Sequence, residues 1–116
     1  VNGQLVGIPF DCDIQMVHLR TSIMEQVLGG PVDRAASVPT YDELIRVTAE
    51  ANRLGNGVAG LGMLGARGFW STYTWQHIAA QAGMMLFDDQ WNPTLTTDAG
   101  MKGMDILLAL SKNAIE

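Results

Sequence analysis

The chain has 116 residues, a hydrophobic fraction of 47% and a charged fraction of 16%. This length suits one domain, and the balance of apolar and charged residues is that of a globular chain, which excludes intrinsic disorder. The formal net charge is −5, and the seven basic residues are scattered singly between Arg20 and Lys112. The chain therefore lacks the basic face that a nucleic acid or an anionic membrane surface would require.

Cys12 is the single cysteine, so neither an internal disulfide nor a zinc site made of cysteines can form. No apolar run reaches the length of a membrane span, which predicts no direct membrane insertion. The chain opens on VNGQ, which is polar and is neither an initiator Met nor a signal sequence. This start predicts an excerpt from a longer protein.

Strands and a short helix are predicted at the beginning of the chain. An Asn-Gly turn precedes residues 5–8, which predict a strand that Pro9 ends. Residues 14–19 form a second β-like stretch, although apolar and polar side chains alternate imperfectly there. Residues 21–28 then predict a short helix, and residues 29–39, which open with Gly-Gly-Pro, predict a loop.

The second predicted helix has the clearest start signal. Thr40 and Glu43 match a capping box, in which each side chain satisfies the backbone N–H of the other residue. Apolar residues follow at helical spacing until Gly55: Leu44, Val47, Ala51 and Leu54. Residues 58–64 then predict a small, glycine-rich strand.

The last third of the chain predicts two more helices. Residues 69–82 read as a helix, with Ser71 or Thr72 near its cap and Gly83 just after its end. Residues 84–87 predict a short strand and residues 88–93 a turn.

A fourth helix is predicted to begin at residues 96–98. Its apolar stripe is expected at four positions: Met101, Met104, Leu107 and Leu108. Strands and helices in this mixed order predict an α/β layer architecture.

Residues 67–75 hold the densest group of side chains suited to ligand binding: four aromatic residues, one Arg and three hydroxyl residues. Aromatic rings can lie on the C–H faces of sugars, and Arg, hydroxyl and helix N-terminal N–H groups can bond sugar hydroxyls. We predict ligand contacts for Arg67, Trp70, Ser71 and Thr72. Phe69 and Tyr73 also fit a packing role, and Trp75 is expected in the core because it shares a helical face with Ile78.

Asp11 and Asp13 flank Cys12, and in an extended segment their carboxylates point to one face. This pair fits hydrogen bonding to a ligand, while acid–base catalysis or metal binding would need further groups. His18 and His77 lack the spacing of metal ligands, and Cys12 lacks a cationic neighbour, so we predict no metal, cofactor or catalytic thiol.

A G-x-G-x-x-G pattern occupies residues 60–65. In dinucleotide-binding proteins this pattern lies in the turn that opens a helix, whereas here it falls inside the predicted strand. Close backbone packing is therefore the favoured interpretation.

Four segments, taken in order, resemble family 1 extracellular solute-binding proteins. Residues 2–9 (NGQLVGIP) and 39–44 (PTYDEL) match two motifs of that family, and the glycine-rich strand with the aromatic helix through Trp75 resembles its mid-lobe segment. Residues 83–97 resemble the block that precedes the next helix. Each motif is weak alone, but their order and spacing match over essentially the whole chain.

The resemblance implies a type II periplasmic binding protein fold, an α/β fold in which two lobes enclose a ligand cleft and each lobe is a mixed sheet flanked by helices. Residues 1–116 would form a single partial lobe, with a hinge-crossing strand at residues 4–10 followed by the first half of the second lobe. Carried over by position, the ligand contacts fall at Asp13, Trp70, Ser71 and Thr72.

The implied function is the substrate-binding component of an ABC transporter for sugar or oligosaccharide uptake, which is not an enzyme. The implied partners are a sugar or polyol ligand and an ABC permease, and the implied location is the periplasm or the outer face of the cell, with a secreted or lipoprotein parent. Open sheet edges also predict homo-oligomers. The alternative is a small carbohydrate-acting or metal-dependent hydrolase that uses Asp11 and Asp13.

Overall fold

The computed structural model describes residues 3–8, 10–12, 14–33 and 40–115. Within these ranges, four helices and two short strands follow one another in a mixed α/β order: α1 (Thr21–Leu28), α2 (Tyr41–Arg53), β1 (Leu61–Gly62), α3 (Phe69–Gln81), α4 (Asp98–Ser111) and β2 (Ala114–Ile115). The assignment of the chain to one partial lobe stays a prediction. In the part of the chain that the structure describes, no helix is both long and apolar enough to cross a membrane.

The two strands predicted near the start are not formed. The described residues at 5–8 and 14–19 form no strand, and their apolar side chains are exposed. The prediction of strands at 5–8 and 14–19 is therefore wrong for this structure, because a strand is completed by hydrogen bonds from a neighbouring strand and no strand of the described residues pairs with them. Pro9 and Asp13 lie outside the described residues, and the hinge at 4–10 stays a prediction.

The first two predicted helices are confirmed. α1 ends at Gly29, whose φ of 72° is the left-handed conformation that closes many helices. The capping box of α2 is present: the Glu43 N–H donates to the Thr40 hydroxyl at 3.2 Å, and the Thr40 N–H donates to the Glu43 carboxylate at 2.9 Å. The first part of the predicted loop at 29–39 is irregular, as expected, and residues 34–39 lie outside the described ranges.

The sheet is smaller than predicted and has a strand that was missed. β1 and β2 run parallel, with Leu61 opposite Ala114 and Gly62 opposite Ile115. The strand predicted at residues 58–64 is only two residues long, Leu61–Gly62, because the part before it packs on α2. A Cβ on Gly60 would overlap the carbonyl oxygen of Thr48, which agrees with close backbone packing as the role of this glycine.

Two asparagines join α2 to the sheet. The Asn52 side chain accepts from the Gly60 N–H at 2.6 Å, just before β1, and donates to the Asn113 carbonyl at 3.3 Å, just before β2. The Asn113 amide in turn donates to the buried hydroxyl of Thr48 at 3.3 Å. These hydrogen bonds fix both strands against the same helix.

α3 packs closely on α4. Ile78 and Ala79 are buried on the α3 side, and a Cβ added to Gly103 of α4 would lie only 2.5 Å from the Cβ of Ala79. The Trp75 indole N–H donates to the Gly100 carbonyl at 3.1 Å. The prediction that the face of Trp75 and Ile78 belongs to the core is thus confirmed.

The apolar stripe predicted for α4 is wrong in part. Met101, Met104 and Leu108 are exposed, whereas Gly103 and Leu110 are buried. The face with the small residues turns toward α3 because only glycine permits such a close approach of the two helices. Close packing therefore determines the orientation of α4.

The strand predicted at residues 84–87 is reduced to one antiparallel bridge between Phe87 and Pro93, and the predicted turn lies between them. The Asp88 carboxylate accepts hydrogen bonds from the N–H of Gln90 at 2.9 Å and from the N–H and side-chain amide of Asn92 at 2.8 and 2.9 Å. The side-chain amide and N–H of Asn92, together with the Gln90 N–H, lower the pKa of Asp88.

Candidate ligand-binding site at the start of helix α3

The loop after β1 turns into α3 at Gly68. This residue is the N-cap, with φ 102° and ψ −126°, a conformation that residues with a Cβ rarely adopt. The hydroxyls of Ser71 and Thr72 donate to the Gly68 carbonyl at 3.1 and 3.0 Å. Ser71 and Thr72 thus lie near the cap of the helix, as predicted, and both hydroxyls bond the carbonyl of the N-cap residue and not a free N–H.

This arrangement sets the chemistry of the two hydroxyls. Each has one proton and two lone pairs. Because the protons of Ser71 and Thr72 point to Gly68, their lone pairs remain to accept hydrogen bonds from a ligand. The carbonyl of a single glycine thus brings two acceptor oxygens together at the beginning of α3.

A row of rings runs along another side of α3. Phe69 stacks on Tyr73 with centroids 5.4 Å apart, and Tyr73 meets His77 edge to face at 4.4 Å. Trp70 meets Phe69 edge to face at 5.1 Å. We call Phe69, Trp70, Tyr73 and His77 the aromatic face. Trp70 is 46% exposed and Phe69 68%, so both rings are accessible to a partner.

The His77 ring forms a hydrogen bond within its own helix. Its Nδ1 lies 2.8 Å from the carbonyl oxygen of Tyr73. Because a carbonyl only accepts, Nδ1 carries a proton. That Phe69, Tyr73 and His77 form a continuous row was not predicted from the sequence. Their spacing of four residues could have indicated it, because residues four apart are neighbours on the surface of a helix.

A pocket lies between the segment that follows β1, the last turns of α4 and strand β2. Its volume is about 240 Å³, and eight residues line it: Met63, Gly65, Ser71, Leu107, Leu108, Ser111, Ala114 and Ile115. The lining is mainly apolar with two hydroxyls, and the Ser111 hydroxyl donates to the Leu108 carbonyl at 2.9 Å.

The predicted contact residues fall in different places. Ser71 lines the pocket, and Thr72 is tied to the same carbonyl as Ser71. Trp70 belongs to the aromatic face, and Arg67 is exposed in the preceding loop. Asp13 lies outside the described residues, and the assignment of all five residues to a ligand stays a prediction.

The pocket also contains a residue that sequence reasoning missed. Ser111 ends α4, and two residues separate it from the unpredicted strand β2, so no local pattern placed it near Ser71. The pairing of β1 with β2 brings these two serines to one pocket.

The carboxylate pair is described only in part. Asp11 is exposed, and its carboxylate accepts from the Cys12 N–H at 2.8 Å. Asp13, the second carboxylate of the hydrolase alternative, is outside the described ranges. Within those ranges, no group of three His, Cys, Asp or Glu side chains is arranged to hold a metal ion.

A comparison with known proteins finds a similar segment in a binding protein. Over 107 residues, which is 92% of this chain, the sequence is 28% identical to the probable amino-acid ABC transporter periplasmic-binding protein y4oP of Sinorhizobium fredii. The match covers 24% of that protein, so the chain spans about a quarter of the length of this curated relative. No family model and no solved structure matches the chain. The similarity supports the general class of ABC-transporter solute-binding proteins and does not extend to the sugar-binding subtype.

Proposed function

We propose that the chain is a portion of the substrate-binding component of an ABC transporter and supplies one wall of a ligand cleft. The observation that carries this proposal is the position of Ser71, which lines a pocket beside β1 and β2 and lies in the first turn of α3, next to the exposed rings of Phe69 and Trp70. The similarity to a periplasmic-binding protein along 92% of the chain supports the same class.

The proposed ligand is a sugar or polyol. Such a molecule has hydroxyls that both donate and accept, and apolar C–H faces. Ser71 and Thr72 offer acceptors, the Arg67 guanidinium offers donors, and the Trp70 ring offers a surface on which a C–H face can lie. This set of groups suits a neutral, polyhydroxylated ligand.

An amino acid is the second candidate, since the relative's name describes an amino-acid transporter. Arg67 could pair with the carboxylate of such a ligand, because a guanidinium binds carboxylates through two parallel hydrogen bonds. The two candidates differ in the residue that dominates binding. Trp70 matters most for a sugar, and Arg67 matters most for an amino acid.

The remaining parts of the proposal concern the whole transporter. The protein would present its ligand to an ABC permease and would work in the periplasm or on the outer face of the cell, from a secreted or lipoprotein parent. It would bind its ligand without changing it. The name of the relative supports a binding role.

Nuclear magnetic resonance titration of the isotope-labelled chain tests this proposal. A panel of mono- and oligosaccharides and the twenty amino acids would be added separately, and we expect sugars to shift the amide signals of Ser71 and Thr72 and the indole signal of Trp70. Binding should be weak, because the proposed cleft needs a second wall. Trp70→Ala should abolish the shifts, whereas Trp91→Ala, which removes another exposed indole, should leave them unchanged.

Other outcomes would change the conclusion. Shifts with amino acids alone, lost in Arg67→Gln, would establish the second candidate. Release of new reducing ends from an oligosaccharide would contradict a binding role and favour the hydrolase alternative. Shifts confined to residues away from the pocket and the start of α3 would place the site elsewhere.

A further inference from the structure

The connection between α2 and β1 turns at Asn56 and Gly57, and both residues are exposed. Their φ angles are 55° and 78°, and the Val58 N–H donates to the Gly55 carbonyl at 3.0 Å. Positive φ at both central residues, with a hydrogen bond from the fourth residue to the first, is the geometry of a type I′ turn. The N–H of Gly57 takes no part in that hydrogen bond.

Two groups of this turn are placed to react with each other. Among the described residues, neither the side-chain amide of Asn56 nor the N–H of Gly57 has a hydrogen-bond partner. A bond between the Gly57 nitrogen and the Asn56 Cγ would close a five-membered ring. Glycine has no side chain to obstruct this approach, and a Cβ added to Gly57 would meet no heavy atom of a non-adjacent residue within 4 Å.

The other asparagines of the described residues lack this combination. The side-chain amides of Asn52 and Asn113 each donate a hydrogen bond, at 3.3 Å in both cases. The amide of Asn92 donates to the Asp88 carboxylate at 2.9 Å, and Pro93, which follows it, has no N–H. In the described part of the chain, an unbonded asparagine side chain therefore precedes a glycine with an unbonded N–H only at this turn.

We propose that Asn56 is a modification site, at which the chain converts spontaneously to aspartate and isoaspartate with water as the other reactant. The Gly57 nitrogen loses its proton to a base in solution and attacks the Cγ of Asn56. The N–Cγ bond forms, the Cγ–Nδ2 bond breaks, and the side-chain nitrogen leaves as ammonia. Water then opens the cyclic imide, at the side-chain carbonyl to give aspartate or at the main-chain carbonyl to give isoaspartate.

The products change the turn in two ways. Either product adds a carboxylate to a chain whose formal net charge is −5. Isoaspartate also runs the main chain through the side-chain carbon, which lengthens the backbone between Gly55 and Val58 and alters their hydrogen bond. The change falls between Asn52 and Gly60, whose 2.6 Å hydrogen bond joins α2 to the residue before β1. This inference does not depend on the ligand proposed above.

Incubation of the folded chain in a mildly alkaline buffer at physiological temperature, followed by tryptic peptide mapping with mass spectrometry, tests the site. Cleavage after arginine and lysine places each asparagine in a different peptide, and Asn56 is the sole asparagine of residues 54–67. We expect this peptide to gain the mass difference between an amide and a carboxyl group and to separate into two products by chromatography. A sample digested before incubation gives the background.

The hydrogen-bonded asparagines are the internal comparison. The peptides that contain Asn52, Asn92 and Asn113 should change at least about tenfold more slowly, because their side-chain amides must first leave their hydrogen bonds. Asn2 also precedes a glycine but lies outside the described residues. Its peptide, residues 1–20, keeps its signal apart from that of Asn56.

Two variants separate the reaction from general instability of the peptide. Gly57→Ala should slow the change at Asn56 roughly tenfold, because a Cβ obstructs the attacking nitrogen. Asn56→Gln keeps Gly57 and its positive φ, and should remove the mass gain because the ring would need one more atom. Gly62→Ala is the matched control in the same tryptic peptide. No heavy atom of a non-adjacent residue lies within 4 Å of its added Cβ, and it should react like the unaltered chain.

A 54–67 peptide that stays unmodified while circular dichroism shows the chain folded would overturn the inference. Equal rates at Asn56 and at the hydrogen-bonded asparagines would also overturn it, since the free groups of the turn would then have no effect. A rate that Gly57→Ala leaves unchanged would contradict attack by the Gly57 nitrogen.

Discussion

The side-chain amide of Asn113 donates to the hydroxyl of Thr48 across a distance of 3.3 Å. Thr48 is 3% exposed and also donates to the Ile45 carbonyl at 3.0 Å. This pair connects the middle of α2 with the residue that precedes β2. The hydroxyl thus links a helix and a strand that are far apart in the sequence.

Thr48→Val should destabilise the fold by about 1 kcal/mol, because it keeps the shape of the side chain but removes one of the two acceptors of the Asn113 amide, the other being the Ile45 carbonyl. Urea unfolding followed by circular dichroism measures the change. Thr96→Val is the matched control, since Thr96 is exposed, and it should unfold like the unaltered chain. Equal stability of the two variants would show that the Asn113–Thr48 bond contributes nothing.

Gly103→Ala should lower stability because its new Cβ would lie 2.5 Å from the Cβ of Ala79. Overpacking of this kind destabilises a fold by about 1–3 kcal/mol. The higher helix propensity of alanine offsets up to about 1 kcal/mol of this loss. We therefore expect a net loss of about 1–2 kcal/mol, measured by urea unfolding. Addition of Ala79→Gly should recover only part of it, because the Cα and N of residue 79 would still lie 2.6 and 2.9 Å from the new Cβ. A double-mutant cycle without coupling would contradict the contact between the two side chains.

Gly68→Ala should weaken both the helix start and the candidate site. The φ of 102° at Gly68 is unfavourable for a residue with a Cβ, so the variant should lose about 1–3 kcal/mol of stability. Movement of the Gly68 carbonyl would also release the hydroxyls of Ser71 and Thr72, and ligand-induced shifts at these residues should shrink. Gly30→Ala is the control. Its φ is not in the left-handed region and no heavy atom lies within 4 Å of the added Cβ, so this variant should change neither stability nor the ligand-induced shifts.

Stability should fall in acid because of Asp88. Its pKa in the fold is below the ordinary value of 3.8, because the side-chain amide and N–H of Asn92 and the Gln90 N–H stabilise the ionised carboxylate. A lowered pKa in the folded state stabilises the fold above pH 3.8, and this contribution is lost as the pH falls through the folded value. In Asp88→Asn, the melting temperature should therefore depend less on pH below about 4. Asp89→Asn is the control, and an identical pH dependence in Asp88→Asn and the unaltered chain would contradict this role.

The helices could be predicted because their signals are local. Thr40 and Glu43 lie three residues apart and form the capping box that starts α2, and Gly83 follows α3 with a φ of 99°. The strands could not be predicted equally well, because a strand exists only where a partner supplies hydrogen bonds. The apolar residues 5–8 form no strand with any described segment, whereas Ala114–Ile115 becomes a strand because β1 lies beside it.

The same distinction applies to the candidate site. Ser71 and Thr72 could be identified because they lie in a dense local group at a helix start. Ser111 could not, because it reaches the pocket through the pairing of β1 and β2. The face of α4 that packs on α3 could not be predicted from hydropathy either. The close approach of the helices at Gly103 determines that face, and the more apolar Met101 and Met104 are exposed.

The parallel pairing of Leu61 with Ala114 holds together, by hydrogen bonds, the two ends of a loop of chain that contains both α3 and α4. Within that loop, the exposed turn at residues 88–92 is a place where the backbone can be cut without removing a buried side chain. After such a cut, each fragment keeps one strand of the sheet and one of the two packed helices. The fragments should therefore stay together as a noncovalent complex, and the pocket that contains Ser71 and Ser111 should depend on both of them.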